Sequence, residues 1–150
     1  MKTLSDSNIL TRMAQPAHPQ HTAALEPVAR LVRQGEQICI VPQNLYEFWA
    51  VATRPPGENG LGMSVAEAHA ELSRLRGMFL LLRDERGVLR HWECLVNLND
   101  VKGKTAHDAR LVAAMIRHGL TRLLTFNASH FRRFAGITVL TPDGVLAEPE

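Results

Sequence analysis

Short apolar runs alternate with segments of helical periodicity along this chain, and this alternation limits the possible folds more than any other feature. Residues 37–41 form a near-continuous apolar run of strand length, and Pro42 then opens a segment with helical spacing. Because helices of ten or more residues separate the strands, the pattern predicts an α/β fold. Its central parallel β-sheet would be flanked by helices on both faces, in three layers.

The other elements follow from the same periodicity and from helix stop signals. The sequence predicts strands near residues 2–6, 121–125 and 137–140, with residues 78–82 either a strand or an extended connector. Pro142 is expected to close the last strand. Predicted helices cover about 7–13, 22–33, 42–53, 64–76, 86–98 and 106–118. Residues 54–60, rich in Pro and Gly, predict an exposed loop.

The composition predicts one ordinary globular domain over residues 1–150. The chain is 45% hydrophobic and carries a net charge of only +2, so a phosphate-rich partner is compatible but not demanded. Cys39 and Cys94 lie in apolar surroundings without metal-ligand spacing, which predicts buried free thiols in a reducing compartment. The first residues have no apolar signal core, and no apolar run reaches membrane-spanning length. We therefore expect a cytoplasmic protein without a membrane partner.

Three acidic residues lie where a parallel sheet of this kind binds ligands, beyond the carboxyl ends of its strands. Asp6 follows the first strand, Glu47 lies on the helix after the second, and Asp108 begins the helix that precedes residues 121–125. Each also has a simpler interpretation. Asp6 could cap the next helix, Glu47 could be solvated, and Asp108 could complete a capping box with Thr105.

Convergence of these three acids would require a counter-charge. A pair of like charges 4 Å apart costs about 4 kcal/mol at an effective dielectric near 20. A hard divalent cation relieves this repulsion, and Mg²⁺ suits a shell of carboxylates and water. Such an ion can activate water and stabilise the charge that develops on a phosphate during displacement. The spacing of the acids does not by itself prove that they converge.

Four segments resemble the PIN domain family, and within it the VapC-type toxins of bacterial toxin–antitoxin pairs. The likeness spans nearly the whole chain and is most specific around Glu47 and Asp108. The segments are Asp6-Ser7-Asn8-Ile9-Leu10, Pro42-Gln43-Asn44-Leu45-Tyr46-Glu47, His107-Asp108-Ala109-Arg110-Leu111-Val112-Ala113 and Leu124-Thr125-Phe126-Asn127.

The resemblance implies a Mg²⁺- or Mn²⁺-dependent endoribonuclease that leaves 5′-phosphate and 3′-hydroxyl ends. It further implies a homodimer that is inhibited by a small antitoxin protein. By the same match, Asp6, Glu47 and Asp108 would hold the metal, and Asn127 would join them as a catalytic residue. Asn127 and His130 stand where the family often has a fourth aspartate, which puts a second metal in doubt. Residues expected to contact RNA are Ser7, Asn8, Arg54, Thr125, His130 and Arg132.

Two other functions compete with the nuclease. A catalytically weakened module on the same fold would bind RNA or a protein partner without cleavage, and the missing fourth acid favours it. A signalling receiver or a haloacid-dehalogenase-like phosphotransferase also places an acid after a strand. Both of those expect a second aspartate close to Asp6, and Ser7-Asn8 does not supply one.

Overall fold

The computed structural model describes residues 1–149, and its centre is a five-stranded sheet in which every pairing is parallel. The strand order is β3-β2-β1-β4-β5. The strands are β1 (Lys2–Ser5), β2 (Gln37–Ile40), β3 (Leu80–Leu81), β4 (Arg122–Leu124) and β5 (Thr138–Leu140). The predicted parallel sheet is confirmed, and the ambiguous run near residue 80 contributes a short strand.

Seven α-helices connect and cover these strands within the described residues. They are α1 (Ser7–Met13), α2 (His21–Arg33), α3 (Pro42–Thr53), α4 (Val65–Met78), α5 (Val88–Leu98), α6 (Thr105–His118) and α7 (Pro142–Ala147). The loop after α3 contains one 3-10 turn, Pro56–Glu58, and the loop after β4 contains another, Ala128–His130. No helix of residues 1–149 is both long enough and apolar enough to cross a bilayer.

The sheet separates two hydrophobic cores, as the three-layer prediction requires. Side chains of a strand alternate between its faces, so Ile38 and Ile40 pack with α1, α2, α3 and α4, whereas Cys39 and Val41 pack with α5 and α6. Phe48 is fully buried in the first core and Met115 in the second. Helices α3 and α6 therefore belong to different cores.

The strand order makes β1 the centre of the sheet and the point where the chain changes direction. From β1 the chain builds outward through β2 and β3 on one side, then returns to add β4 and β5 on the other. Leu4 pairs with Cys39 of β2 and with Leu123 of β4. A crevice opens at such a switch point beyond the carboxyl ends of the strands. Asp6 is the first residue after β1 there.

The last strand ends before Pro142 as predicted, but Pro142 also opens α7, a helix that the sequence pattern did not predict. The Thr141 hydroxyl accepts a hydrogen bond from the Gly144 backbone N–H at 3.0 Å and caps this helix. Proline suits the first helical position, where its missing N–H costs no hydrogen bond. The Arg30 side chain of α2 donates to the backbone carbonyls of Leu146 (2.9 Å) and Glu148 and fixes α7 to the body of the protein.

Two smaller predictions also need correction. Cys39 is buried as expected, but Cys94 is exposed, because it lies on the outer side of α5 beside the inward-facing Leu95. Thr105 does not form a capping box with Asp108. Gly103, at φ +61°, turns the chain so that Lys104 occupies the cap position and Thr105 is already helical, and no side-chain hydrogen bond caps α6. Asp108 thus has no capping role.

Candidate active site

A cleft of about 310 Å³ opens at the carboxyl edge of the sheet, where β1, α3, α6 and the loop after β4 meet. All three predicted acids line it. The structure brings eight of the ten predicted site residues to this cleft: Asp6, Ser7, Asn8, Glu47, Arg54, Asp108, Asn127 and His130.

Asp6 is the most buried of these acids, with 9% of its surface exposed. Hydrogen bonds from α1 and from the residue after β4 fix its carboxylate. Its Oδ1 accepts a hydrogen bond from the Ser7 backbone N–H at 2.7 Å, which makes Asp6 the cap of α1. Its Oδ2 accepts one from the Thr125 hydroxyl at 2.7 Å and one from the Asn8 side-chain amide at 3.3 Å. The same carboxylate therefore caps α1 and lines the cleft.

The pKa values of Asp6 and Asp108 are both raised in the cleft. The pKa of Asp6 is raised from 3.8 to about 6. Burial is the main cause, hydrogen bonds from Thr125 and Ser7 oppose it, and the charges of Glu47 and Asp108 add to it. Burial is also the main cause of a raised pKa at Asp108, with Glu47 adding to it and His130 opposing it. Burial at this edge of the sheet is therefore the main cause of both shifts, and the neighbouring carboxylates add to it.

Glu47 is half-buried and its carboxylate is held by its own helix. The Gln43 side chain, one turn earlier on α3, donates from Nε2 to Glu47 Oε1 at 2.7 Å. Val51 and Arg54 line the cleft on the same side of α3 as Glu47, as helical spacing predicts. Leu45 and Phe48 point instead into the core.

Asp108 lies at the start of α6 with 30% of its side chain exposed. His130 Nδ1, on the loop after β4, is 4.0 Å from Asp108 Oδ2. Asn127 lies on the same loop, is exposed, and lines the cleft. The loop thus brings an amide and an imidazole to the position where the sequence lacks a fourth acid.

Two predicted substrate contacts are not placed in the cleft. Thr125 is fully buried, so a substrate cannot reach it, and its hydroxyl supports Asp6 instead. Arg132 is exposed outside the group that lines the cleft, because the chain beyond His130 turns to bury Phe131 and Phe134. Ser7 does line the cleft, although its hydroxyl accepts a hydrogen bond from the Asn44 amide at 3.1 Å.

Sequence reasoning missed two residues of the site. Arg12 lines the cleft together with Arg54, and its guanidinium donates to the side chains of Gln15 and Gln20. Arg12 lies four residues after Asn8 on α1, and this helical spacing could have revealed it. Gln43 lies four residues before Glu47 on α3, so the same helical spacing could have placed it beside that acid.

The oxygen donors in the cleft match the chemistry of Mg²⁺ or Mn²⁺. In residues 1–149, no group of three or more His, Cys, Asp and Glu side chains is already gathered closely enough to hold a metal ion. Mg²⁺ usually keeps several of its waters and binds proteins through one or two carboxylates. The residues therefore fit a hydrated ion, with part of the contact made through water.

The same architecture occurs in solved toxin–antitoxin structures. VapBC-1 from nontypeable Haemophilus influenzae aligns with 95% of this chain and 99% of its own, at 14% identity and a TM-score of 0.69. VapBC2 from Rickettsia felis, bound to a DNA fragment from its promoter, aligns with 94% of this chain and 98% of its own, at 15% identity and a TM-score of 0.67. The chain has the fold of VapC-type PIN domains.

A third PIN-domain neighbour is VapC20 from Mycobacterium tuberculosis, a toxin that cleaves the sarcin–ricin loop. It aligns with 81% of this chain and 86% of its own, at 18% identity and a TM-score of 0.57. No protein-family model matches the sequence, and the comparison with curated proteins gives no match. The likeness of this chain to the solved structures is thus one of fold, with little identity in sequence.

Proposed function

We propose that this PIN domain is a Mg²⁺- or Mn²⁺-dependent endoribonuclease and the toxin of a toxin–antitoxin pair. One observation carries the proposal: Asp6, Glu47 and Asp108 line a single cleft at the switch point of the sheet. Solved structures of the same fold include VapBC complexes and a toxin that cleaves the sarcin–ricin loop, which supports this function over others that an acidic cleft could serve.

Each acid has a role that its environment supports. Asp6, fixed by Ser7 and Thr125, would supply an oriented carboxylate that is ionised above about pH 6. Glu47 and Asp108 would help to hold the ion, directly or through water. When bound, Mg²⁺ supplies activation of water and neutralisation of phosphate charge.

The remaining side chains of the cleft suit an RNA backbone. Arg12 and Arg54 would pair with phosphates on either side of the cleaved bond, since a polyanion needs such neutralisation close to an acidic site. Asn127 would offer its amide to the substrate or help to hold the ion, and His130 would contact a phosphate. We further propose that the protein acts as a homodimer in the cytoplasm, and that its antitoxin covers this cleft.

Cleavage of total bacterial RNA by the purified protein tests the proposal, with Mg²⁺ or Mn²⁺ compared with EDTA. The wild type should cut only with metal and leave 5′-phosphate ends, which can be ligated without prior kinase treatment. Asp108→Asn should remove the activity. Asp100→Asn is the matched control, because Asp100 is exposed and its positive φ of 49° suits asparagine.

Two results of this assay would separate a nuclease at this site from other sources of cleavage. Metal-dependent cuts that Asp108→Asn loses and Asp100→Asn keeps would support the nuclease. Equal cutting by both variants would indicate a contaminant or a wrong site.

The rival function is a binding module without cleavage, favoured by the exposed Asn127 where the family often has an acid. Mg²⁺ or Mn²⁺ should raise the unfolding temperature of a metal-dependent nuclease by mass action. Folded protein that neither cuts RNA nor gains stability from saturating metal would favour the binding module.

A further inference from the structure

We propose that Gln43 is a positioning residue that sets the carboxylate of Glu47 against Asp108 and thereby sets the affinity of the site for Mg²⁺ or Mn²⁺. This inference deepens the proposed function and rests on it. Gln43 is 7% exposed and its side chain makes three hydrogen bonds. Its Nε2 donates to Glu47 Oε1 at 2.7 Å and to the His107 backbone carbonyl at 2.8 Å. Its Oε1 accepts from Arg110 Nη1 at 3.0 Å.

The two Nε2 bonds join both helices that carry the acids. Glu47 is on α3, and His107 directly precedes Asp108 on α6. Because α3 packs in one core and α6 in the other, on opposite faces of the sheet, packing within either core does not fix their separation. The Gln43 amide makes this connection directly at the carboxyl edge, next to the acids.

Only one orientation of the Gln43 amide satisfies its neighbours. The Glu47 carboxylate and the His107 carbonyl are both acceptors, and the Arg110 guanidinium is a donor. Exchanging the amide oxygen and nitrogen would oppose acceptor to acceptor at two positions and donor to donor at the third. Arg110 Nη2 is in turn 3.3 Å from Asp84 Oδ1, which fixes the guanidinium. The chain Asp84–Arg110–Gln43–Glu47 therefore orients the carboxylate.

We expect the hydrogen bonds of Gln43 to affect the affinity for metal more than the stability of the fold. Mutation of a residue that hydrogen-bonds to a metal ligand, and so fixes the orientation of that ligand, commonly lowers metal affinity by about 10- to 100-fold. Gln43 donates to one Glu47 oxygen and leaves the other free for an ion or its waters. Loss of the amide would let Glu47 adopt other rotamers and would release the first turn of α6 from α3.

Mn²⁺ binding to the full chain, measured by isothermal titration calorimetry, tests the proposal. Gln43→Met keeps the length of the side chain and removes all three hydrogen bonds, and should weaken Mn²⁺ binding by about tenfold or more. Gln37→Met is the matched control, because Gln37 is an exposed glutamine at the opposite end of β2. It should bind Mn²⁺ as the wild type does. Urea unfolding of each metal-free protein separates a loss of fold from a loss of affinity.

A second variant covers the case in which Gln43→Met does not fold. Arg110→Met frees the amide oxygen of Gln43 but leaves both Nε2 bonds possible, so the loss should be smaller, about threefold. Wild-type affinity in folded Gln43→Met would overturn the proposal, as would wild-type affinity in Arg110→Met if the first variant does not fold. An equal loss in Gln37→Met would also overturn it.

The same titration distinguishes this proposal from the proposed function. Wild-type protein that binds no Mn²⁺ would overturn both. Wild-type binding that Asp108→Asn loses and Gln43→Met retains would overturn only the role of Gln43.

Discussion

Removing the Thr125 hydroxyl should destabilise the protein in a way that depends on the charge of Asp6. The hydroxyl is fully buried and donates to Asp6 Oδ2 at 2.7 Å. It also accepts hydrogen bonds from the Asn8 amide at 3.1 Å and from the Asn127 backbone N–H at 3.0 Å. Thr125→Val keeps the shape of the side chain and removes these three bonds together.

The sign of the pH effect follows from the raised pKa of Asp6. Its pKa rises from 3.8 in an ordinary environment to about 6 in the fold, so ionising Asp6 opposes folding. This cost is absent below pH 3.8, grows as the pH rises from 3.8 to about 6, and reaches its full size above about pH 6. Two pKa units correspond to about 3 kcal/mol in the metal-free protein.

Thr125 offsets part of this cost, because its hydroxyl stabilises the charged form of Asp6. A hydrogen bond to a charged group contributes about 1.5–3 kcal/mol, against about 0.5–1.5 kcal/mol for a neutral one. At pH 8 Asp6 is ionised in the fold, whereas at pH 5 it is mostly protonated. Thr125→Val should therefore cost about 1–2 kcal/mol more at pH 8 than at pH 5, and should raise the pKa of Asp6 further.

Urea unfolding with EDTA, followed by the fluorescence of Trp49 and Trp92, measures this difference at the two pH values. Effects of other titrating groups cancel between wild type and variant. Thr125→Ser is the control, because it keeps the hydroxyl and loses a methyl group, and its cost should not depend on pH. An equal cost of Thr125→Val at pH 5 and pH 8, or a larger cost at pH 5, would refute the reasoning.

Three further predictions follow from the same contacts. Glu47→Gln removes a charge that raises the pKa of Asp6, so the metal-free protein should gain a few tenths to about 1 kcal/mol at pH 8 in urea unfolding, while Mn²⁺ should no longer raise its unfolding temperature. A loss of stability would contradict this. Asn127→Asp adds a fourth carboxylate to the cleft and should tighten Mn²⁺ binding roughly threefold or more by calorimetry, because affinity follows the count of ligand charges. Unchanged or weaker binding would exclude Asn127 from the metal shell. Arg30→Leu removes the donors to the Leu146 and Glu148 carbonyls, so hydrogen exchange should speed up in α7 and remain slow in β1. Equal protection of α7 in both proteins would show that apolar packing alone holds it.

The sequence determined the elements because their signals are local. Helical spacing, proline at a first helical position and glycine after a last one identified α2, α3 and α6 within a residue or two. Ser64 and Glu67 form a capping box at the start of α4, a local signal for the beginning of that predicted helix. The parallel sheet and its two covered faces followed from the lengths of the connections, which exclude hairpins.

The failures have local explanations as well. Thr105 was expected to cap α6, but the turn at Gly103 moved the start of the helix by one residue. A short final helix was overlooked because six residues give too little periodicity to compete with the strand before it.

The placement of Asp6, Glu47 and Asp108 after strands suggested a common edge, but only the tertiary structure decided that they share a cleft. Strand order sets which acids meet, and strand order depends on long-range pairing that periodicity does not encode. The sequence also could not predict the hydrogen bonds that support the acids, because their partners are far apart along the chain. Thr125 lies 119 residues from Asp6, and Gln43 lies 64 residues from His107. The sequence by itself identified the acidic residues from their positions after predicted strands. Only the parallel sheet, which brings the ends of its strands to one edge, determined which side chains contact them.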